Sequence, residues 1–285
     1  MTETNKFVTI ILVSYFSKKN LIKLLKQIPT DYNVVITENS LDKKLKYEIE
    51  KNYKNIKVLI PKTNLGNGGG INYALNKVLT KYALYLDLDI ELINDTIGDL
   101  IRLAEKLENW AIIAPNLKDY NYKSIHFIKK EVGNNISKMR FVEGCALLMN
   151  FKKLKKHNFY DEKIFLYYEE TDLFFKYQKL NLDIILSKNI FVKHIGNASS
   201  DNEFKLEIEL NRNWHYMWSK FYYFKKNFSY LRGMQETLGH FIKSLIKLVF
   251  FYPINTNKFL INKNRALGLI NSYLGKPSWR RPNLK

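Results

Sequence analysis

Two carboxylates, Asp87 and Asp89, stand one residue apart in the segment YLDLDIE, residues 85–91. An apolar run at 82–86 reads as a strand, so both acids fall at a strand's carboxyl end, where open α/β sheets hold their ligands. Carboxylates at this spacing can share a divalent cation or its water shell, and such a cation neutralises a nucleotide diphosphate. The pair also reads as a strand end whose acids cap the next helix. A second segment, NLGNGGGIN at 64–72, carries Gly66, Gly68, Gly69 and Gly70 between a strand and a helix. Glycines there let the backbone turn tightly against a ligand, and the helix N-terminus favours an anion. No Gly-Lys-Ser/Thr follows, so it is not a P-loop. The run also follows the third strand, and the first strand leads into SYFSKK without glycine, which argues against a dinucleotide fingerprint. A plain connecting loop is the other reading.

Further along, FLYYEETDL (165–173) places Glu169, Glu170 and Asp172 at the start of a predicted helix. Acids in a first turn are favoured by the helix dipole alone. A hydroxyl acceptor also needs a base, and a carboxylate within hydrogen-bond reach is the usual one. HIGNASS (194–200) ends a strand-like run at His194, with Gly196 leaving room beside it. A lone histidine can be a metal ligand, although a structural role is the commoner one.

The elements that must position these groups follow an alternating rhythm. Apolar β-branched runs at 7–13, 33–37, 56–60, 82–86 and 110–114 read as strands. Helical segments at 18–28, 41–53, 71–80 and 95–108 separate them. This alternation predicts a doubly wound, mostly parallel α/β sheet flanked by helices. Beyond Pro115 the pattern is irregular: short strands are expected at 122–128 and 138–142, a helix at 169–180, and strands at 183–187 and 189–194. From about 204 the chain reads as helical to near 273, broken around Gly233 and Pro253. Two domains are expected, a catalytic unit at 1–203 and a helical region at 204–285.

Composition narrows the classes. Hydrophobic residues make up 46% of the chain, ample for a packed core. Cys145 is the only cysteine, which excludes a disulfide framework or a zinc cluster and fits a reducing compartment. No basic segment followed by an apolar stretch opens MTETNKF, so no secretory leader is expected. No window reaches the roughly 20 apolar residues of a spanning helix. The net charge is +19, and two thirds of it lies in residues 210–285, where 14 Lys or Arg face a single acid, Glu236. Such a block seeks phosphates, whether of lipid, nucleic acid or a diphosphate substrate.

Taken in order, VTIILVSYFS, VVITENS, NLGNGGGIN, YLDLDIE, VEGCALLMN, FYDEKIFLYYEETDL and HIGNASS resemble glycosyltransferase family 2, most similarly its rhamnosyltransferase-like branch of bacterial surface polysaccharide synthesis. The resemblance covers about residues 7–200 and implies a GT-A fold and a metal-dependent transfer, probed with Mn2+ or Mg2+. It implies that Ser14 and Tyr15 line the nucleotide base and that Glu38 holds base or ribose. Asn64, Gly66 and Gly70 would border the nucleotide, with Asn72 close by. Asp87 and Asp89 match the DxD, with Asp89 the direct metal contact, and His194 matches a histidine that completes the metal site in some relatives. Glu170 falls at the catalytic base, flanked by Glu169 and Asp172, while Gly144 and Cys145 match an acceptor-side segment. This sequence departs from the family pattern in Glu38 for Asp, in Glu169-Glu170 for Glu-Asp, and in Asn67 where many relatives carry an aromatic residue. The implied donor is a dTDP- or UDP-linked sugar, rhamnose first and other hexoses next, moved with inversion.

The tail bears on the acceptor. Residues 214–230 hold Trp214, Tyr216, Trp218, Phe221, Tyr222, Tyr223, Phe224, Phe228 and Tyr230 interleaved with Lys220, Lys225 and Lys226, and FIKSLIKLVFFYPI (241–254) is apolar with two lysines four apart. Basic, aromatic-rich amphipathic helices lie at anionic membrane surfaces. The same residues could instead pack on the rest of the chain, and a mixture is the expectation. Held at the cytoplasmic face of the membrane, the chain would meet a glycan or lipid-linked acceptor. A nucleotidyltransferase is disfavoured because its basic glycine-rich loop after the first strand is missing. A catalytically silent membrane- or nucleic-acid-binding protein fits the charge. It leaves the ordered acids unexplained, and no nucleic-acid partner is expected.

Overall fold

The computed structural model describes residues 6–118, 128–195 and 205–282. The expected strand at 122–128 and the segment 196–200 with Gly196 lie, wholly or almost wholly, outside the described residues. The chain opens with β1 (Val8–Ser14), α1 (Lys18–Leu25), β2 (Asn33–Glu38), α2 (Lys43–Asn52) and β3 (Ile56–Leu59). It continues with α3 (Gly66–Leu75), β4 (Tyr82–Leu86), β5 (Ile90–Leu92), α4 (Thr96–Glu105) and β6 (Trp110–Leu117). Next come β7 (Ile128–Val132), β8 (Ile136–Met139), β9 (Ala146–Met149), α5 (Phe151–Leu154), α6 (Glu169–Lys179) and β10 (Asp183–His194). The helices α7 (Lys205–Asn227), α8 (Tyr230–Phe251) and α9 (Thr256–Tyr273) follow.

Two compact units result, one of residues up to Leu65, Gly69–Tyr160 and Leu173 onward through β10, the other of Gly66–Gly68, Asp161–Asp172 and the helices α7 to α9. The first is built on a 10-stranded sheet in the order β3-β2-β1-β4-β9-β6-β10-β8-β7, with β5 paired to β10. The β3-β2-β1-β4 half is parallel, as continuous apolar runs buried on both faces require. Val8, Ile10, Ile11 and Leu12 of β1 are fully buried. Beyond β4 the pairing is mixed, because β9 enters antiparallel to both β4 and β6. The two short strands expected at 183–187 and 189–194 are one strand, β10, with a register irregularity between Leu186 and Phe191.

Two helix starts show how local chemistry sets the ends. Asp42 caps α2 by accepting from the Lys44 and Leu45 amides, and Asp95 caps α4 through the Gly98 amide. In contrast, α3 begins inside the glycine run at Gly66, five residues before the expected start at 71.

In the second unit α7, α8 and α9 pack on one another. Trp214, Trp218, Phe221 and Tyr223 of α7 are buried while Tyr216, Phe228 and Tyr230 are exposed, so the aromatic stretch divides between core and surface. Gly268 of α9 lets that helix pass against α7, since a Cβ there would collide with the Trp214 carbonyl oxygen. Tyr273 packs edge-on to Phe221 at 4.7 Å and shares a 3.0 Å hydrogen bond with Thr237. Among the described residues no helix is long and apolar enough to cross a membrane.

Candidate active site

Parallel strands deliver their carboxyl ends to one edge of the sheet, and the first unit's predicted residues collect there. Ser14 ends β1 opposite Glu38, which ends β2, and both side chains are fully buried. Burial pushes the Glu38 carboxyl above the ordinary range, against hydrogen bonds from Ser40 that favour the charged form. The Ser40 amide donates to Glu38 Oε1 at 2.7 Å, and the Ser40 hydroxyl also donates to it. Glu38 Oε2 has no hydrogen-bond partner among the described residues. A buried acid with one oxygen unsatisfied is costly to keep and marks a place where a ligand's donor would be welcome. Tyr15 is half-buried and follows directly.

The same end of β2 fixes the glycine segment. The Thr37 hydroxyl donates to the Gly70 carbonyl at 2.7 Å, and Asn39 Oδ1 accepts from the Leu65 amide at 3.2 Å. Asn64, just before Leu65, is partly exposed. Asn72 has a structural duty: its carboxamide donates to the Tyr160 carbonyl at 2.9 Å and accepts from the Tyr160 amide at 3.0 Å.

At the end of β4 the DxD acids meet partners from distant sequence. The Asp87 amide donates to the Cys145 carbonyl at 2.8 Å, because β9 runs antiparallel to β4 with Ala146 opposite Leu86. This pairing brings Gly144 and Cys145 beside the acids. Burial first, then the nearby Asp87, Glu143 and Asp89, push the Cys145 thiol far up, so it is an inert packed thiol. Tyr85 donates its hydroxyl to Asp87 Oδ1. β10 pairs antiparallel with β5, placing His194 opposite Ile90, and His194 Nε2 lies 3.1 Å from Asp89 Oδ1. The Ile195 amide donates to the Asp89 carbonyl at 3.0 Å. One ligand atom from each of Asp87, Asp89 and His194 falls within 4.8 Å of the others. Two hard carboxylate oxygens and an imidazole suit Mn2+, Mg2+ or a similar divalent ion, so the donor set fits the implied metal. The hydrogen bond to Asp89 and the charges of Asp89, Asp87 and Glu143 favour the protonated imidazole, outweighing its partial burial.

Glu143 is the residue sequence reasoning missed. Its charge reaches both His194 and Cys145, and the signal was present in VEGCA, immediately before Gly144. A cavity of about 440 Å³ between α1, β5 and β10 is lined by Lys23, Gln27, Glu91 and Lys193 among others, and by none of the predicted site residues.

The second unit holds the other predicted acids. Gly66 has φ +76°, and a Cβ there would run into the Phe165 carbonyl, while the Asn67 amide donates to that carbonyl at 3.2 Å. Asn67 Nδ2 reaches Glu170 Oε1 at 3.5 Å. Tyr167 and Tyr168, immediately before α6, both have positive φ, +64° and +68°. Left-handed backbone at two consecutive bulky residues is strained, at about 1–3 kcal/mol each, and such strain clusters at functional segments. It turns the chain into the helix whose first turn carries Glu169, Glu170 and Asp172.

The three acids differ. Glu169 is buried and Glu170 is partly exposed. Asp172 is buried and tied down: Lys226 Nζ donates to its Oδ2 at 2.7 Å and Asn227 Nδ2 to its Oδ1 at 2.8 Å. Lys226 also donates to Asp161 at 2.7 Å, and Tyr222 adds a 3.0 Å bond to the same oxygen. Burial pushes the Asp161 carboxyl up, but Lys226, the Lys163 amide and Tyr222 hold it below its ordinary value.

The parallel half-sheet with a nucleotide-type loop after β3 and paired acids after β4 defines a sugar-nucleotide transferase architecture. The family model "Glycosyl transferase family 2" matches residues 9–169, more than half of the chain, and the protein belongs to that family. A curated relative, the low-salt glycan biosynthesis hexosyltransferase Agl10 of Haloferax volcanii, is 21% identical over 196 residues, covering 62% of this chain and 63% of that protein. The chain thus matches less than two thirds of that relative's length. Among solved structures, Staphylococcus aureus TarS 1–349 in complex with UDP superposes with a TM-score of 0.54 at 17% identity, over 95% of this chain and 92% of that one. The mannosyltransferase PcManGT from Pyrobaculum calidifontis, in complex with GDP-Man and Mn2+, gives a TM-score of 0.59 at 9% identity, over 94% and 87%. At these identities the structures establish the GT-A fold.

Proposed function

We propose that this protein transfers a hexose from a nucleoside-diphosphate donor to a glycan or lipid-linked acceptor. The observation that carries the reading is the convergence of Asp87, Asp89 and His194 within 4.8 Å at the carboxyl edge of the same sheet whose strands β1 and β2 end at Ser14 and Glu38. A divalent ion bound there would neutralise the diphosphate of the departing nucleotide. Asp89 and His194, already in contact, and Asp87 would hold it. Glu38 receives the base or ribose, with Ser14 and Tyr15 beside it. Asn64, Gly66 and Gly70 border the nucleotide, and Asn72 serves them by clamping Tyr160. Gly144 and Cys145 face the acceptor.

Glu170 is assigned as the base, on its place in the family pattern and on its partial exposure, where Glu169 and Asp172 are buried. Inversion and a dTDP-rhamnose or UDP-hexose donor are the preferred details. The division into a catalytic unit at 1–203 and a helical region at 204–285 belongs to the same proposal, with the helical region resting at the cytoplasmic face of the membrane.

Thermal-shift measurements with UDP, dTDP and GDP and their sugars, each with and without Mn2+ or Mg2+, test it, since a ligand bound only to the native state raises the melting temperature. Metal-dependent stabilisation by one nucleotide, lost in Asp89→Ala, is the expected result. No shift with any nucleotide would sink the enzymatic reading and favour a silent binding protein.

A further inference from the structure

Helix α8 is built inside out. Its buried positions are Gly233, Thr237 and Ser244, small or polar residues. The hydroxyls are satisfied within the helix, Thr237 donating to the Gly233 carbonyl at 2.7 Å and Ser244 to the His240 carbonyl at 2.8 Å. The opposite side carries Leu238, Ile242, Leu245 and Val249, spaced by four, three and four, with Ile246 and Phe250 beside them, and all six are exposed. That spacing makes one stripe about 17 Å long. It runs on to the α8–α9 turn, where Tyr252 and Ile254 are 76% and 65% exposed. A water-facing helix has the reverse distribution, and contiguous apolar surface of this kind marks an interaction site.

The charges around the stripe identify the partner. Lys243 and Lys247 follow one another along one edge, and Lys258 sits at the turn with its ammonium 5.2 Å over the Phe251 ring. From Thr237 to Lys285 the sequence has no acid, and Glu236, the last one before it, is bridged to Arg232 at 2.6 Å. A second copy of the chain would bring the same cations to a self-complementary contact and be repelled. Nucleic acid would satisfy the lysines and leave the aliphatic stripe in water. An anionic bilayer satisfies both, taking up the apolar stripe among its acyl chains and the lysines among its headgroups.

We infer that the outward face of α8 and the α8–α9 turn insert into the surface of an anionic lipid bilayer. This deepens the membrane placement proposed above and is independent of the transfer reaction. Trp214, Trp218, Phe221 and Tyr223 of α7 take no part, since they are buried.

Flotation of the full chain with phosphatidylcholine vesicles, with or without about 30% phosphatidylglycerol at about 0.1 M salt, tests the inference. Binding is expected to the anionic vesicles and to be at least about tenfold weaker to neutral ones. Lysine near such a surface contributes about fivefold in partitioning, so Lys243→Gln with Lys247→Gln should weaken binding about 25-fold. Ile246→Asp with Val249→Asp should weaken it at least about tenfold, with an unchanged melting temperature because both positions face solvent in the fold. Wild-type strength in the aspartate variant, or no flotation of the wild type with anionic vesicles, overturns the inference. So does self-association that the aspartate variant abolishes without any vesicle binding, which would identify a second copy as the partner. The nucleotide melting shifts measured on the same preparations separate this outcome from failure of the transferase reading.

Discussion

Lys226→Met removes an ammonium that lies 2.7 Å from Asp172 Oδ2 and 2.7 Å from Asp161 Oδ2. The Asp172 side chain is 3% exposed and that of Asp161 18%. Taking the partner from a fully desolvated ion pair costs about 3–5 kcal/mol. Lys226 keeps 35% of its side chain accessible, so water replaces part of what is lost, and the cost falls to about 2–3 kcal/mol. Asn227 still donates to Asp172 Oδ1, which keeps the carboxylate from being stranded. Urea unfolding of the wild type, Lys226→Met, Asp172→Asn and the double variant measures the term. A neutral amide at 172 needs the cation less, so the double variant should be more stable than the sum of the singles predicts, by about 1–2 kcal/mol. The acid side of the curve gives a second check. The Asp161 carboxyl is held below its ordinary value of 3.8, so its contribution is fully present above about pH 4 and is lost as pH falls through the lower folded value. Lys226→Met should flatten that decline. A stability change below about 0.5 kcal/mol, or strictly additive singles, would refute the claim that Asp172 is fixed by this network. The functional corollary is that Asp172→Asn, assayed well below its melting temperature, retains far more activity than Glu170→Gln. Equal loss in both would return Asp172 to the base's role.

Glu38→Gln should raise stability at pH 8 by about 1 kcal/mol while weakening nucleotide binding, as checked by melting with and without nucleotide. The sign follows from burial: a carboxyl pushed up in the folded state destabilises while ionised, and in the wild type that cost is relieved as pH falls through the raised folded value. Gly66→Ala combines a left-handed backbone with a collision at Phe165 and should cost at least about 2 kcal/mol by urea unfolding. Gly268→Ala gains about 1 kcal/mol of helix propensity but meets the Trp214 backbone, so a net loss of about 1–3 kcal/mol is expected in the same assay. Glu143→Gln should reduce the metal-dependent nucleotide shift without moving the apo melting temperature by more than about 2 °C.

The parallel half of the sheet was legible because its strands are continuous apolar runs separated by helical segments, a pattern local enough to read. Strand β9 was not. ALLM is four apolar residues in an irregular stretch, and its antiparallel place between β4 and β6 depends on contacts distant in sequence. The same pairing makes neighbours of Asp87 and Cys145, which spacing cannot reveal. Asp87, Asp89 and His194 were legible by residue type and order, and their meeting depends on β5 folding back onto β10. The reach of Glu143 follows from the β9 pairing as well. In the tail, composition alone could not separate two fates. Trp214, Trp218, Phe221 and Tyr223 of α7 are core, whereas Leu238, Ile242, Leu245 and Val249 of α8 face outward and its buried positions are Gly233, Thr237 and Ser244.

Three places where this chain breaks local rules fall where function is proposed. Glu38 is a buried acid at the end of a strand that could have finished with an apolar residue. Tyr167 and Tyr168 adopt a backbone that glycine or asparagine would take at lower cost. α8 turns leucine, isoleucine and valine to the outside. On the proposed function each choice answers to something outside the isolated protein: a nucleotide's donors, a reacting hydroxyl, a bilayer. Sequences agree with their folds at every level except where such an outside term enters. Replacing Tyr167 by glycine separates strain kept for function from strain that is incidental. At that φ glycine relieves about 1 kcal/mol or more, so stability should hold or rise despite the lost ring contact with Tyr216. If the strained turn aims Glu170, turnover falls while metal-dependent nucleotide binding stays. If turnover is unchanged, the turn is only a connection and the base must be sought elsewhere.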